Sequence, residues 1–255
     1  KNRNEFMKRL INKCLNPLGY EVKRIVNKHN ISYYQNSYPA DSMKMKRFYN
    51  IGAGGFYHPY WTNVDYISEW YASNNKKTSQ GIHYDLFSKS PMPIDSNSAE
   101  VVYSSHTIEH ITNAVAENMI NEAFRILKSN GYLRITAPNI DLDYRAYRNN
   151  DKHFFYWTKR YSIQKEWKRA KYNKPLNVAT IEQLFLSHFA ASVSTLHSDG
   201  ISEPIDDKEL NELFNKLSFE EALDYCCAKC CMKIQRKYPG NHINWWNPKK
   251  ITSIL

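Results

Sequence analysis

A short apolar run, Phe48-Tyr49-Asn50-Ile51, passes directly into Gly52-Ala53-Gly54-Gly55. Glycines at the end of a strand accept positive φ and let the backbone approach a ligand closely. Two acids follow at comparable places. Asp65 ends the run Thr62-Asn63-Val64-Asp65, where a carboxylate can accept hydrogen bonds from both hydroxyls of a ribose. Asp85 follows Ile82-His83-Tyr84 and can accept from an adenine amino group while Leu86 packs on the ring. Each feature alone also reads as an ordinary turn, loop or cap, and a lone Gly-x-Gly-Gly is a weak signal.

Three further groups carry chemistry-bearing side chains. His106-Thr107-Ile108-Glu109-His110 matches the His-x-x-Glu-His pattern of zinc peptidases. That chemistry needs both histidines on one helical face and a third ligand. Here the first histidine leaves a buried strand, so no metal is predicted, and Glu109 and His110 are assigned to the helix start or its packing. Cys226, Cys227, Cys230 and Cys231 form overlapping Cys-x-x-x-Cys pairs. Their spacing is not that of a zinc ribbon, and they read as small apolar side chains of a half-buried helix over 219–236. The aromatic run 153–157 and the pair Trp245-Trp246 suit either stacking on a sugar or base or, more commonly, a core.

The elements that must position these residues follow from periodicity. Runs at 48–51, 62–65, 82–85, 100–105 and 132–137 read as strands. A helix is predicted over 108–127, with Ala116, Met119, Ile120, Ala123 and Leu127 inward, stopped by Ser129-Asn130-Gly131. Strands joined by crossovers imply a doubly wound, mostly parallel α/β sheet. The expected organisation is an N-terminal helical lead-in over 1–47, a ligand-binding core over 48–138, a mostly helical insertion acting as a lid or substrate cap over 139–246, and the start of a core helix over 247–255.

Composition sets outer bounds. The 255 residues are 42% hydrophobic and 24% charged, with a formal charge of +10. No apolar run is long enough to span a bilayer, and no signal-peptide pattern opens the chain, so a cytoplasmic location is expected. The basic, amphipathic stretch 5–30 allows peripheral contact with a membrane. The excess charge admits anionic partners, nucleic acid among them, although the lysines are scattered rather than gathered in one block.

Two longer blocks extend the pattern. One is Val101-Val102-Tyr103-Ser104-Ser105-His106-Thr107-Ile108-Glu109-His110. The other is Arg125-Ile126-Leu127-Lys128-Ser129-Asn130-Gly131-Tyr132-Leu133-Arg134-Ile135. With the glycine turn and the two acids, they make residues 48–138 resemble the class I S-adenosylmethionine-dependent methyltransferases of type 11. In that family the fourth strand runs into a His-x-x-Glu-His helix and the fifth follows a Leu-Lys-x-x-Gly turn. Trp245 to Leu255 resembles the helix before the family's last two strands, which the resemblance would place after Leu255 and which this sequence does not include.

The resemblance implies a Rossmann-like methyltransferase sheet and S-adenosylmethionine as cofactor, with S-adenosylhomocysteine as product. Gly52, Ala53 and Gly54 would line the methionine end. Asp65, followed by Tyr66, would hold the ribose, and Asp85 with Leu86 the adenine. Ser104, Ser105 and His106 would form the floor beneath the methyl group. Only residues 52–61 separate the first two strands, so the family's first helix must shrink to a turn or two. The implied activity is O-methylation of a small molecule, sugar or polysaccharide. An acceptor hydroxyl needs a base, and His197, oriented by Asp199, is the candidate, with an exposed turn the alternative reading; His188 and His242 are the insertion's other notable polar residues. Nucleic-acid methylation is the second reading, weakened because Ser104-Ser105-His106-Thr107 stands where amino-methylating enzymes carry Asp/Asn-Pro-Pro-Tyr. A non-catalytic binding protein of the same fold is the third.

Overall fold

The computed structural model describes residues 29–66, 81–197 and 203–255. Its backbone contacts divide the chain into Lys1–Lys44 and Met45–Leu255. In the first unit the described part is two helices, α1 (His29–Ser37) and α2 (Ala40–Lys44). The basic, amphipathic stretch 5–30 lies, apart from its last two residues, outside the described residues.

The second unit is built on five strands: β1 (Phe48–Ile51), β2 (Trp61–Asp65), β3 (Gly81–His83), β4 (Ala99–Ser105) and β5 (Leu127–Thr136). Their order is β3-β2-β1-β4-β5, and every pairing is parallel. Parallel strands are covered on both faces, which is why central β1 buries both Phe48 and Ile51. The order reverses between β1 and β4, so the crevice beyond their carboxyl ends is where an open α/β sheet receives a ligand.

The crossover from β1 to β2 contains turns and no helix. A connection this short is unusual for parallel strands, and it is held by specific bonds. Gly52 N donates to Val64 O at 2.9 Å, and Asn63 Nδ2 donates to Phe56 O at 2.7 Å.

After β4 a 3-10 turn over Ile108–His110 precedes helix α3 (Asn113–Ile126). The helix starts later than periodicity predicts because Ile111 is extended, with φ −128° and ψ 159°. Val115, Ala116, Met119, Ile120, Ala123 and Ile126 form its buried stripe at helical spacing. At the other end Leu127 already pairs with Ala99 as the first residue of β5. Ser129-Asn130-Gly131 therefore does not stop a helix. It sits inside the strand, where Asn130 takes φ +64° and the register shifts against β4.

The segment after β5 folds as α4 (Ile140–Arg148), α5 (Gln164–Arg169), α6 (Ile181–Ser187), α7 (Asp207–Lys216), α8 (Phe219–Ala228) and α9 (Met232–Lys237), linked by 3-10 turns. Many of its aromatic side chains are core: Phe155, Phe185 and Phe189 are buried, and the Tyr147 and Phe185 rings stack 4.9 Å apart, while Tyr156 is exposed. The two tryptophans divide between two cores. Trp245 belongs to the helical cluster and Trp246 to the cluster under the sheet. Both are nearly inaccessible, so neither is available to stack on a ligand. Helix α10 (Pro248–Ser253) follows, capped by Asn247 with proline in its first turn.

Candidate active site

The carboxyl ends of β1, β2 and β4, with the residues after β3, border one cavity of about 350 Å³. That lies within the range of about 300–1,000 Å³ usual for small-molecule sites. Gly52, Ala53 and Gly54 line it from the end of β1. Gly52 has φ +67°, and a Cβ there would stand 2.2 Å from Thr107 Oγ1, so no other residue fits. Gly54 has φ +52° and only open space where a Cβ would point, which leaves bare backbone toward the cavity.

Asp65 pins that turn. Its Oδ2 accepts from Gly54 N at 2.6 Å and its Oδ1 from Tyr66 N at 2.8 Å. Each oxygen keeps a further lone pair for a ligand hydroxyl. Burial raises its carboxyl above the ordinary range, partly offset by the two backbone donors. Tyr66 also lines the cavity, its ring 5.4 Å from that of His83.

Asp85 and Leu86 line the opposite side. Asp85 caps the short turn Leu86–Ser88 by accepting from Phe87 N at 3.0 Å. Its other oxygen accepts from Arg236 Nη1 at 2.7 Å. Arg236, Gln235 and Pro239, from α9 and the loop after it, close the cavity from the insertion side. None of the three carries a sequence signal, since Arg236 lies 151 positions from Asp85.

The end of β4 departs from expectation at one residue. Ser105 and His106 line the cavity, but Ser104 does not. Ser104 is 1% exposed and donates to Ile51 O at 3.1 Å. Alternation along the strand turns it into the sheet. Thr107, which sequence reasoning passed over, lines the cavity in its place. His106 takes φ +53° while its N–H donates to Thr136 O at 2.9 Å. This uncommon conformation for a non-glycine residue swings its ring to the cavity, where Nδ1 lies 3.0 Å from Glu109 Oε1. The hydrogen bond to Glu109 raises the His106 pKa above its ordinary value, against the effect of burial.

His106 and His110 therefore do not share a helical face as in a zinc peptidase; the His110 ring turns instead to the Asn241 carbonyl. Burial, reinforced by His110 and His188, drives the His242 imidazole well below its ordinary value. His188 is paired with Asp143, Nδ1 to Oδ2 at 2.9 Å.

His197 is not on the cavity wall. Its ring packs 4.4 Å from that of Tyr172, and burial lowers its pKa to about 4. Asp199 lies outside the described residues. Burial pushes the Cys226 thiol up to about 12 and that of Cys230 to about 11. Both stay protonated, as suits packing rather than ligation.

Residues 51–135 match the family model described as a methyltransferase domain. No protein of curated function matches the chain. A solved structure from Methanococcus maripaludis, described as that of a proposed S-adenosyl-L-methionine-dependent methyltransferase, is 15% identical, with 59% of this chain and 84% of that one covered. Its TM-score is 0.26, a likeness too low to bear on the fold. Among the described residues no helix is long and apolar enough to cross a membrane.

Proposed function

We propose that the chain transfers a methyl group from S-adenosylmethionine to a hydroxyl of a small molecule or sugar; the match of residues 51–135 to a methyltransferase-domain model and the all-parallel sheet support this reading. The observation that carries this reading is the convergence of Gly54, Asp65, Asp85 and His106 on one cavity at the reversal of strand order. When bound, the cofactor supplies a methyl group already activated by the sulfonium charge.

The bare backbone at Gly54 suits the close passage of the cofactor's methionine end. Asp65, tied to the turn by one lone pair on each oxygen, offers the others to the ribose hydroxyls. Leu86 and Phe87 provide apolar surface for the adenine beside Asp85. Ser105 and His106 face the region between these groups. For a hydroxyl acceptor, His106 is the better candidate base than His197. It borders the cavity, and Glu109 holds its Nδ1, leaving Nε2 as the free ring nitrogen. The cover that Gln235, Arg236 and Pro239 give on one side supports an acceptor small enough to fit a cavity of about 350 Å³.

Calorimetric titration with S-adenosylhomocysteine tests the reading. Wild-type protein is expected to bind one equivalent, and Asp65→Ala to bind far more weakly. Equal affinity in the two proteins, or no binding by the wild type, overturns it. Labelled methyl transfer into fractionated cell extract then identifies the acceptor class, and label in RNA would replace the small-molecule reading.

A further inference from the structure

Behind the cavity wall, Glu109, His110 and His242 each bring one potential ligand atom to within 4.8 Å of the others. Their hydrogen bonds decide which atom each residue has left to offer. His110 Nδ1 lies 2.9 Å from Asn241 O, and His242 Nδ1 lies 2.7 Å from His188 O. A carbonyl oxygen only accepts, so each Nδ1 must carry the hydrogen. In the neutral rings Nε2 is then a bare lone pair. Glu109 is 1% exposed; its Oε1 is engaged with His106, while its Oε2 has no hydrogen-bond partner among the described residues.

We propose that Glu109, His110 and His242 bind one divalent transition-metal ion of the zinc class. The Glu109 Oε2 is buried with no donor among the described residues, which is costly, and a cation is what it and the two imidazole lone pairs can share. Two imidazoles and a carboxylate are a donor set such ions take, with a further position left open. The carbonyls that hold each Nδ1–H supply the outer shell that orients metal-binding histidines. An ion about 2 Å from each donor requires donors roughly 3.4 Å apart, a spacing compatible with atoms that all lie within 4.8 Å of one another.

The placement gives the ion two consequences. His110 also lines the cavity, so the ion stands beside whatever the cavity holds. His242 comes from the far end of the helical insertion, so the ion ties that segment to the turn after β4, where Ile243 N already donates to Glu109 O at 2.9 Å. The site differs from the zinc-peptidase pattern, since His106 is not a ligand and the second histidine is remote in sequence. It does not depend on the transferase reading.

The full chain, loaded with Zn²⁺ and dialysed, is expected to retain one equivalent of zinc by elemental analysis. His242→Gln and Glu109→Gln should each lose it with an unchanged far-ultraviolet circular dichroism spectrum. A variant with Cys226, Cys227, Cys230 and Cys231 all replaced by Ser should keep it. The Co²⁺-loaded wild-type protein should show the visible bands of a nitrogen and oxygen site without thiolate charge transfer. Absence of stoichiometric zinc in folded wild-type protein, its retention in both ligand variants, or its loss with the cysteines overturns the proposal. Should the ligand variants not fold, the Co²⁺ spectrum decides: thiolate bands or no bands overturn it.

Discussion

Arg236 Nη1 lies 2.7 Å from Asp85 Oδ2, and the same guanidinium stands 4.5 Å from the centroid of the Phe87 ring. One side chain of the insertion thus covers both polar and apolar parts of the cavity's β3 side. Arg236 is exposed and Asp85 partly so, and ion pairs near the surface contribute only about 0–1 kcal/mol to stability. Arg236→Gln is therefore expected to leave the urea midpoint nearly unchanged. If the guanidinium closes the cavity, S-adenosylhomocysteine should dissociate several-fold faster from the variant, as stopped-flow displacement would read. An unchanged off-rate would mean that the contact only decorates the rim.

Gly52 has no room for a methyl group. Gly52→Ala forces a Cβ against Thr107 at a backbone φ of +67°, and strain of this type costs about 1–3 kcal/mol. Urea unfolding should show that loss. The double variant with Thr107→Ala removes the two nearest obstacles, Oγ1 at 2.2 Å and Cγ2 at 2.6 Å, but neither the Cβ at 2.9 Å nor the φ penalty, so it should recover part of the stability. Full recovery would show that the remaining contact and the backbone conformation carry no cost, and no recovery would show that the Thr107 hydroxyl and methyl are not the obstacle.

His106→Gln separates binding from chemistry. Under the proposed reading the side chain acts on the acceptor, so the cofactor Kd should hold while kcat falls by about 10²–10⁴-fold, the usual contribution of a general base. The measurement uses the acceptor found by labelled methyl transfer. Equal loss in affinity would make His106 part of the cofactor's seat, and an unchanged kcat would remove it from catalysis. The same assay on His197→Phe should show nearly full activity.

His197 instead has a signature in acid stability. Its pKa falls to about 4 in the native chain through burial, whereas an unfolded histidine titrates near about 6.5. The unfolded state therefore takes up the proton first as pH drops. The native contribution is intact above about pH 6.5 and is lost between there and about pH 4, by no more than about 3 kcal/mol. His197→Phe, which keeps a ring against Tyr172, should flatten the pH dependence of stability in that window. A parallel dependence in variant and wild type would refute the assignment.

Much of the site follows from local pattern. A strand that meets glycine, and strands that end in Asp65 and Asp85, are readable because strand, turn and cap preferences act over a few residues. The same holds for the helical stripe Ala116, Met119, Ile120 and Ala123. Local pattern fails where one residue's geometry decides which way the chain faces. Ser104 and Thr107 are equally plausible as cavity residues from their types. The alternation along β4 and the positive φ of His106 place one in the sheet and the other on the wall. The Ser129-Asn130-Gly131 stretch carries a turn signal, yet burial of Leu127 and its pairing with Ala99 start the strand before it.

The amino-acid order alone determined the parallel strand sequence, the glycine bend and the two acids beside it, because each depends on neighbours close along the chain. Only the tertiary structure decided that Arg236 meets Asp85 and that His242 meets Glu109 and His110. Those contacts join segments more than a hundred positions apart. They exist because the helical segment after β5 has its own core and packs back onto the sheet through Trp246. Periodicity records which face of an element is buried; it holds no record of which distant element buries it.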